Sequence, residues 1–60
     1  MIECSIKLAD GSRYDTVREE SIFEDPAFLI GLKYVRVEQD SNTSVYINQE
    51  QIISITEKEI

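Results

Sequence analysis

The sequence predicts a small, mostly β domain with a minor helical part: a strongly bent five-stranded antiparallel sheet or partly open barrel, with one short helix at about residues 26–30. Three observations predict it. Apolar and polar residues alternate strictly from Ile2 to Leu8, an Asp10-Gly11 pair follows at once, and helix start and stop signals appear only between Ser21 and Gly31.

In the first strand, Ile2, Cys4, Ile6 and Leu8 share one face, with Glu3, Ser5 and Lys7 on the other. Ala9-Asp10-Gly11-Ser12 supplies the positive φ of a tight hairpin, which returns Arg13 to Val17 antiparallel to it. Ser21-Ile22-Phe23-Glu24 has capping-box spacing, and Asp25-Pro26 sets a capping carboxylate before a proline at a favoured first helical position. Gly31 terminates the helix, whose apolar side chains are expected to plug one end of the sheet. Leu32 to Gln39 reads as the third strand, with Val35 and Val37 facing the core and Tyr34 and Arg36 on the opposite face. Asp40-Ser41-Asn42-Thr43 is turn chemistry. Val45 to Ile47 is then a strand, Asn48 to Gln51 a polar corner or single 3₁₀ turn, and Ile52 to Thr56 a last strand with Ile53 and Ile55 inward. A frayed tail is expected from Glu57 to Ile60.

Sixty residues make one domain, spanning residues 1–60, because so short a chain cannot enclose two cores. A core of this size supplies about 3–5 kcal/mol without a disulfide, a metal or a partner. Cys4 is the only cysteine and histidine is absent, so an internal disulfide cannot form and a Cys/His zinc site lacks its ligands. Self-association is the remaining supplement, and a homo-oligomer is expected. The lone thiol and an N-terminus with neither a basic start nor a long apolar run fit a reducing cytoplasm. No stretch is long enough to span a bilayer. The net charge of −6 opposes bare nucleic acid and anionic membrane, so neither is an expected partner.

The usual nucleophile–base pairs need a histidine, which the chain lacks, and Cys4 on the apolar face reads as core filler, so no catalytic residue and no cofactor is expected. The adjacent carboxylates Glu24-Asp25 and Glu19-Glu20 lie by the helix start, where they suit the helix dipole better than acid–base chemistry. Asp40 to Ser44 lacks the spacing and closing glutamate of a calcium loop, and Gly11 and Gly31 stand alone, so no phosphate loop exists. One group remains: Arg13, Tyr14, Tyr34, Arg36 and Tyr46, since guanidinium forks and aromatic faces together grip a phosphate-bearing base or a protein surface. An exposed aromatic–basic patch on an acidic protein has the make-up of an interface hot spot. The competing reading has the tyrosines cap the core and the arginines pair with Glu38, Asp15 or Glu3 across strands.

From Val45 to Glu57, Tyr46-Ile47-Asn48, three polar residues, then Ile52-Ile53-Ser54-Ile55-Thr56-Glu57, the chain resembles the ending of many small SH3-like or Sm-like proteins of Gram-positive bacteria and their phages. The Leu8-Ala9-Asp10-Gly11 hairpin and the short helix are similar to that group as well. The last two strands also resemble in layout the second motif of the bacterial Sm-like RNA chaperone. That chaperone's corner is basic and carries a histidine, whereas Asn48-Gln49-Glu50-Gln51 is neutral to acidic, so RNA binding does not carry over. The resemblance implies a barrel and oligomerisation through edge strands. The function expected is a small oligomeric interaction protein that modulates a larger macromolecule, a phage or prophage product acting on a host system. Two alternatives stand beside it: an oligomer that sequesters a nucleotide messenger between Arg13, Arg36 and the tyrosines of adjacent subunits, and an acidic mimic of DNA.

Overall fold

A computed structural model describes all residues from Met1 to Ile60. The chain runs β1 (Ile2–Leu8), β2 (Arg13–Arg18), a 3₁₀ turn (Ile22–Glu24), α1 (Pro26–Leu29), β3 (Tyr34–Glu38), β4 (Ser44–Asn48), a second 3₁₀ turn (Gln49–Gln51) and β5 (Ile52–Glu59). The mostly-β reading holds, in its partly open form. The five strands divide into a three-stranded sheet of order β2-β1-β5 and a two-stranded sheet β3-β4, all antiparallel and not closed into a barrel.

The alternation of β1 does what it predicts, burying Cys4 and Ile6 completely. The first hairpin turns through three residues: Leu8 N–H donates to the Ser12 carbonyl (2.8 Å), and Gly11 alone takes the positive φ, 92°. Asp10 Oδ1 accepts from Ser12 N–H at 2.8 Å and closes the loop. On β2 the inward row is Tyr14, Thr16 and Arg18, an amphipathic edge to the core, and Val17 is left outside.

Both start signals are used. Ser21 Oγ accepts from Phe23 N–H and Asp25 Oδ1 from Ala27 N–H, while Gly31 at φ 70° stops the helix. The acid that completes the Ser21 cap comes from β5, because Glu57 accepts from Ser21 Oγ–H (2.7 Å) and from Ile22 N–H (3.0 Å). That tie corrects the frayed tail: β5 stays paired with β1 out to Ile2 opposite Glu59, and Ile60 N–H donates to the Met1 carbonyl at 2.9 Å. A second correction concerns Ile53, which is 60% exposed. Lys7 pairs with Ser54 but Leu8 with Ile52, so Ile53 is the extra residue of a bulge, and Ile52 turns inward in its place beside Ile55, which faces the core as expected. The helix plugs the sheet only in part: Ala27 is buried and Phe28 half-buried, but Leu29 and Ile30 are each 71% exposed.

The core is small, consisting of Cys4, Ile6, Ile22, Ala27, Val35, Val37 and Ile47. It lies between the two sheets and under the helical segment. Peptide groups alternate in direction along a strand, so the Leu8–Ser12 bond turns those of Tyr14, Thr16 and Arg18 toward β1 and leaves Arg13, Asp15 and Val17 facing away. By the same rule Gln39 N–H, which donates to the Thr43 carbonyl, turns Val35 and Val37 toward β4 and leaves Tyr34, Arg36 and Glu38 facing outward along β3. β2 and β3 thus meet at a seam that no backbone ladder closes. Two side chains bridge it, Thr16 Oγ–H to the Glu38 carbonyl (2.7 Å) and Gln39 Nε2 to the Asp15 carbonyl (3.4 Å).

Candidate functional site

The β3–β4 hairpin brings together three of the five residues singled out in the sequence. Arg36 lies directly opposite Tyr46, and Tyr34, opposite Asn48, is one pleat away on the same face. Burial alternates along β3, with Val35 and Val37 buried and Tyr34 and Arg36 exposed, because period two leaves no other arrangement once both valines enter the core. Tyr34 is 51% exposed and Tyr46 65%, so neither phenol caps the interior.

Arg36 is held flat along this face: Nε donates to Ser44 Oγ at 3.1 Å, and Nη2 lies 3.5 Å from Glu38 Oε1. The ion pair is exposed on both sides and therefore worth little, so the guanidinium is available to a better acceptor. Lys33 sits over the Tyr34 ring, 5.7 Å from its centroid, and adds a second cation to the aromatic end of the patch. Lys33 escaped the sequence reading. A lysine directly before an outward tyrosine was the available signal.

Arg13 and Tyr14 are not part of this group. They are on β2, in the other sheet, and on opposite faces of it: Tyr14 packs half-buried against the core while Arg13 is exposed. Arg13 pairs with Asp15 two residues along its own strand, Nη2 to Oδ2 3.2 Å. The Ser5 hydroxyl, directly across on β1, and then the Arg13 guanidinium hold the Asp15 carboxyl below its ordinary value. Arginine–acid pairing is thus present for Arg13 and Arg36 along single strands, whereas core capping applies only to Tyr14.

Two grooves of about 560 Å³ flank the Thr16–Glu38 contact between β2 and β3. Arg36 opens on one, beside Arg18, Glu19, Glu20 and Asp25; Arg13 opens on the other, beside Glu3, Asp15 and Asp40. Each mixes signs, with more carboxylates than guanidiniums, so neither concentrates positive charge as a phosphate site would. In the first groove Arg18 Nη2 pairs with Asp25 Oδ2 at 3.2 Å, both side chains being less than a quarter exposed, and Arg18 Nε is buried without a partner. Asp25 therefore does two jobs, capping α1 and neutralising Arg18.

Cys4 is buried between β2 and β5 neighbours, and burial followed by the nearby Glu57 carboxylate pushes its thiol up, away from the reactive thiolate. No group of three or more acidic or cysteine side chains converges as a metal site would require. No helix is long and apolar enough to cross a membrane. In comparison with known proteins, no family model matches the chain, and no curated protein or solved structure matches it either.

Proposed function

We propose that the chain is a small self-associating interaction protein that acts by docking the outer face of β3–β4 on a larger macromolecule. The observation that carries this reading is the Tyr34–Arg36–Tyr46 group, two half-exposed phenols about a weakly held guanidinium. Tyrosine and arginine dominate the energetics of interfaces, tyrosine because it presents large, stiff, amphipathic area at small entropic cost and arginine because its planar fork makes several hydrogen bonds and stacks on aromatic faces. The likeness of the chain's ending to small proteins of Gram-positive bacteria and their phages supports a phage or prophage product that modulates a host system. Self-association is supported by the small core and by the unpaired edges of both sheets, β2 and β5 in one and β3 and β4 in the other, of which β4 and β5 lie away from the β2–β3 seam and cost least when covered.

Affinity capture from host lysate with the native chain and a Tyr34→Ala, Arg36→Ala double variant tests the reading. The native chain is expected to retain its partner at high salt, because an aromatic interface is screened little. The double variant is expected to lose that partner while melting like the native chain. Capture that survives the double substitution would contradict the proposed face, and capture lost on adding salt would favour an acidic charge mimic instead.

A further inference from the structure

The strip around α1 carries a second surface of different chemistry. Phe23 is 52% exposed, Leu29 and Ile30 71% each, and Leu32 50%, four large apolar side chains within ten residues of chain. The local fold keeps them close: Phe23 meets the half-buried Phe28 edge-to-face at 5.7 Å, and the backbone after α1 turns back so that Leu32 N–H donates to the Ala27 carbonyl at 2.8 Å. Single exposed apolar residues are ordinary on any protein, but a contiguous strip is not. The interior of this chain holds only seven apolar side chains, so the strip leaves outside a large fraction of what could have been buried.

In sequence the strip is flanked by opposite charges. Glu24 follows Phe23 and Lys33 follows Leu32, neither makes an ion pair within the chain, and Lys33 is held only by its contact with the Tyr34 ring. An apolar strip bracketed by unlike, unpaired charges is complementary to itself when a second strip runs antiparallel to it. A two-fold axis then sets each Glu24 beside the partner subunit's Lys33, and the contact is counted twice. Four side chains at these exposures present roughly 400 Å² of mainly apolar surface per copy, or about 800 Å² over two copies, the size of a weak dimer that populates only at high micromolar concentration. Resting on the self-association half of the proposed function, we infer that the α1 strip, rather than a strand edge, is the contact between two copies of this chain, paired antiparallel through Leu29, Ile30 and Leu32 with Glu24 and Lys33 closing both ends.

Sedimentation equilibrium of the full chain, from micromolar to sub-millimolar concentration, reads the association directly. The native chain is expected to dimerise, and Leu29→Glu with Ile30→Glu to abolish the dimer. Both positions are largely exposed, so the variant keeps its strands by circular dichroism at low temperature. It should melt below the native chain and at a midpoint independent of concentration, having lost the stabilising copy. Charge swaps test the antiparallel pairing without touching the apolar strip. Glu24→Lys and Lys33→Glu should each weaken the dimer about threefold to tenfold, as two exposed ion pairs per dimer allow. The double swap should return to within about twofold of native, since each pair is re-formed with its signs exchanged. A dimer or larger oligomer indifferent to the Leu29 and Ile30 changes, or a double swap no better than its singles, overturns this inference alone and leaves association through strand edges standing. A chain that stays monomeric throughout overturns both, and leaves the Tyr34–Arg36–Tyr46 capture experiment to judge the rest of the functional reading.

Discussion

β1 is paired on both sides, over six residue pairs with β2 and seven with β5, whereas β3 and β4 have only each other, over five. A two-stranded sheet is marginal by itself in water, so the hairpin stands because Val35, Val37 and Ile47 enter the shared core. The three-stranded sheet is also fastened from outside its ladders, by Glu57 to the first 3₁₀ turn and by Ile60 to Met1. The hairpin is fastened across the β2 seam by Thr16 and Gln39, and at its other end by Gln49, whose N–H donates to the Lys33 carbonyl and whose side chain donates to the Ala27 carbonyl. The difference separates two tasks: the sheet with continuous ladders holds the fold, and the more lightly held hairpin presents the aromatic–basic face.

The most damaging change should be at the centre of the well-paired sheet. Ile6 is fully buried, and Ile6→Ala is expected to cost about 2–5 kcal/mol, comparable to the whole stability of so small a core. Circular dichroism at room temperature should find the variant largely unfolded, and a fully folded Ile6→Ala chain would break the assignment of stability to this sheet. A smaller loss is expected when the tie from β5 is cut. Glu57→Ala removes two hydrogen bonds to a carboxylate, a loss of about 1.5–3 kcal/mol, while Glu57→Gln keeps an acceptor and should lose less. Urea denaturation ranks the two.

Smallest is the seam. Thr16→Val removes the bond to the Glu38 carbonyl with little change of shape, an expected cost of about 0.5–1.5 kcal/mol. Its sharper signature is regional. Amide exchange should accelerate at Val35 and Val37, whose N–H groups face β4, more than at the equivalent β1 positions Cys4 and Ile6. Equal acceleration in both sheets would show that they open as one unit and dissolve the comparison.

The alternation of β1, the tight turn at Asp10-Gly11, the two helix starts and the outward placing of Tyr34 and Arg36 were all legible, because each follows from residues a few positions apart. That Tyr46 joins them was legible too, once the Asp40–Thr43 turn folds β4 back on β3. Arg13 and Tyr14 are adjacent in sequence, and a strand sends adjacent side chains to opposite faces, so their separation was implicit in the same rule. What escaped was non-local. The bulge that expels Ile53 depends on the register of β5 against Lys7 and Leu8, and the order of the last residues depends on Glu57 meeting Ser21 and Ile22 more than thirty positions away. Hydrophobicity also suggested that Leu29 and Ile30 face the core, yet a helix of four residues has too few turns to bury more than one side of itself.

An interior of seven apolar side chains is slight enough that the fold should draw part of its stability from a neighbouring copy. Melting the native chain at rising protein concentration tests this most directly, because association that favours the folded state makes the midpoint depend on concentration. The midpoint is predicted to climb as concentration rises through the high micromolar range. A sharp, high-temperature transition at the same midpoint at every concentration would contradict the account.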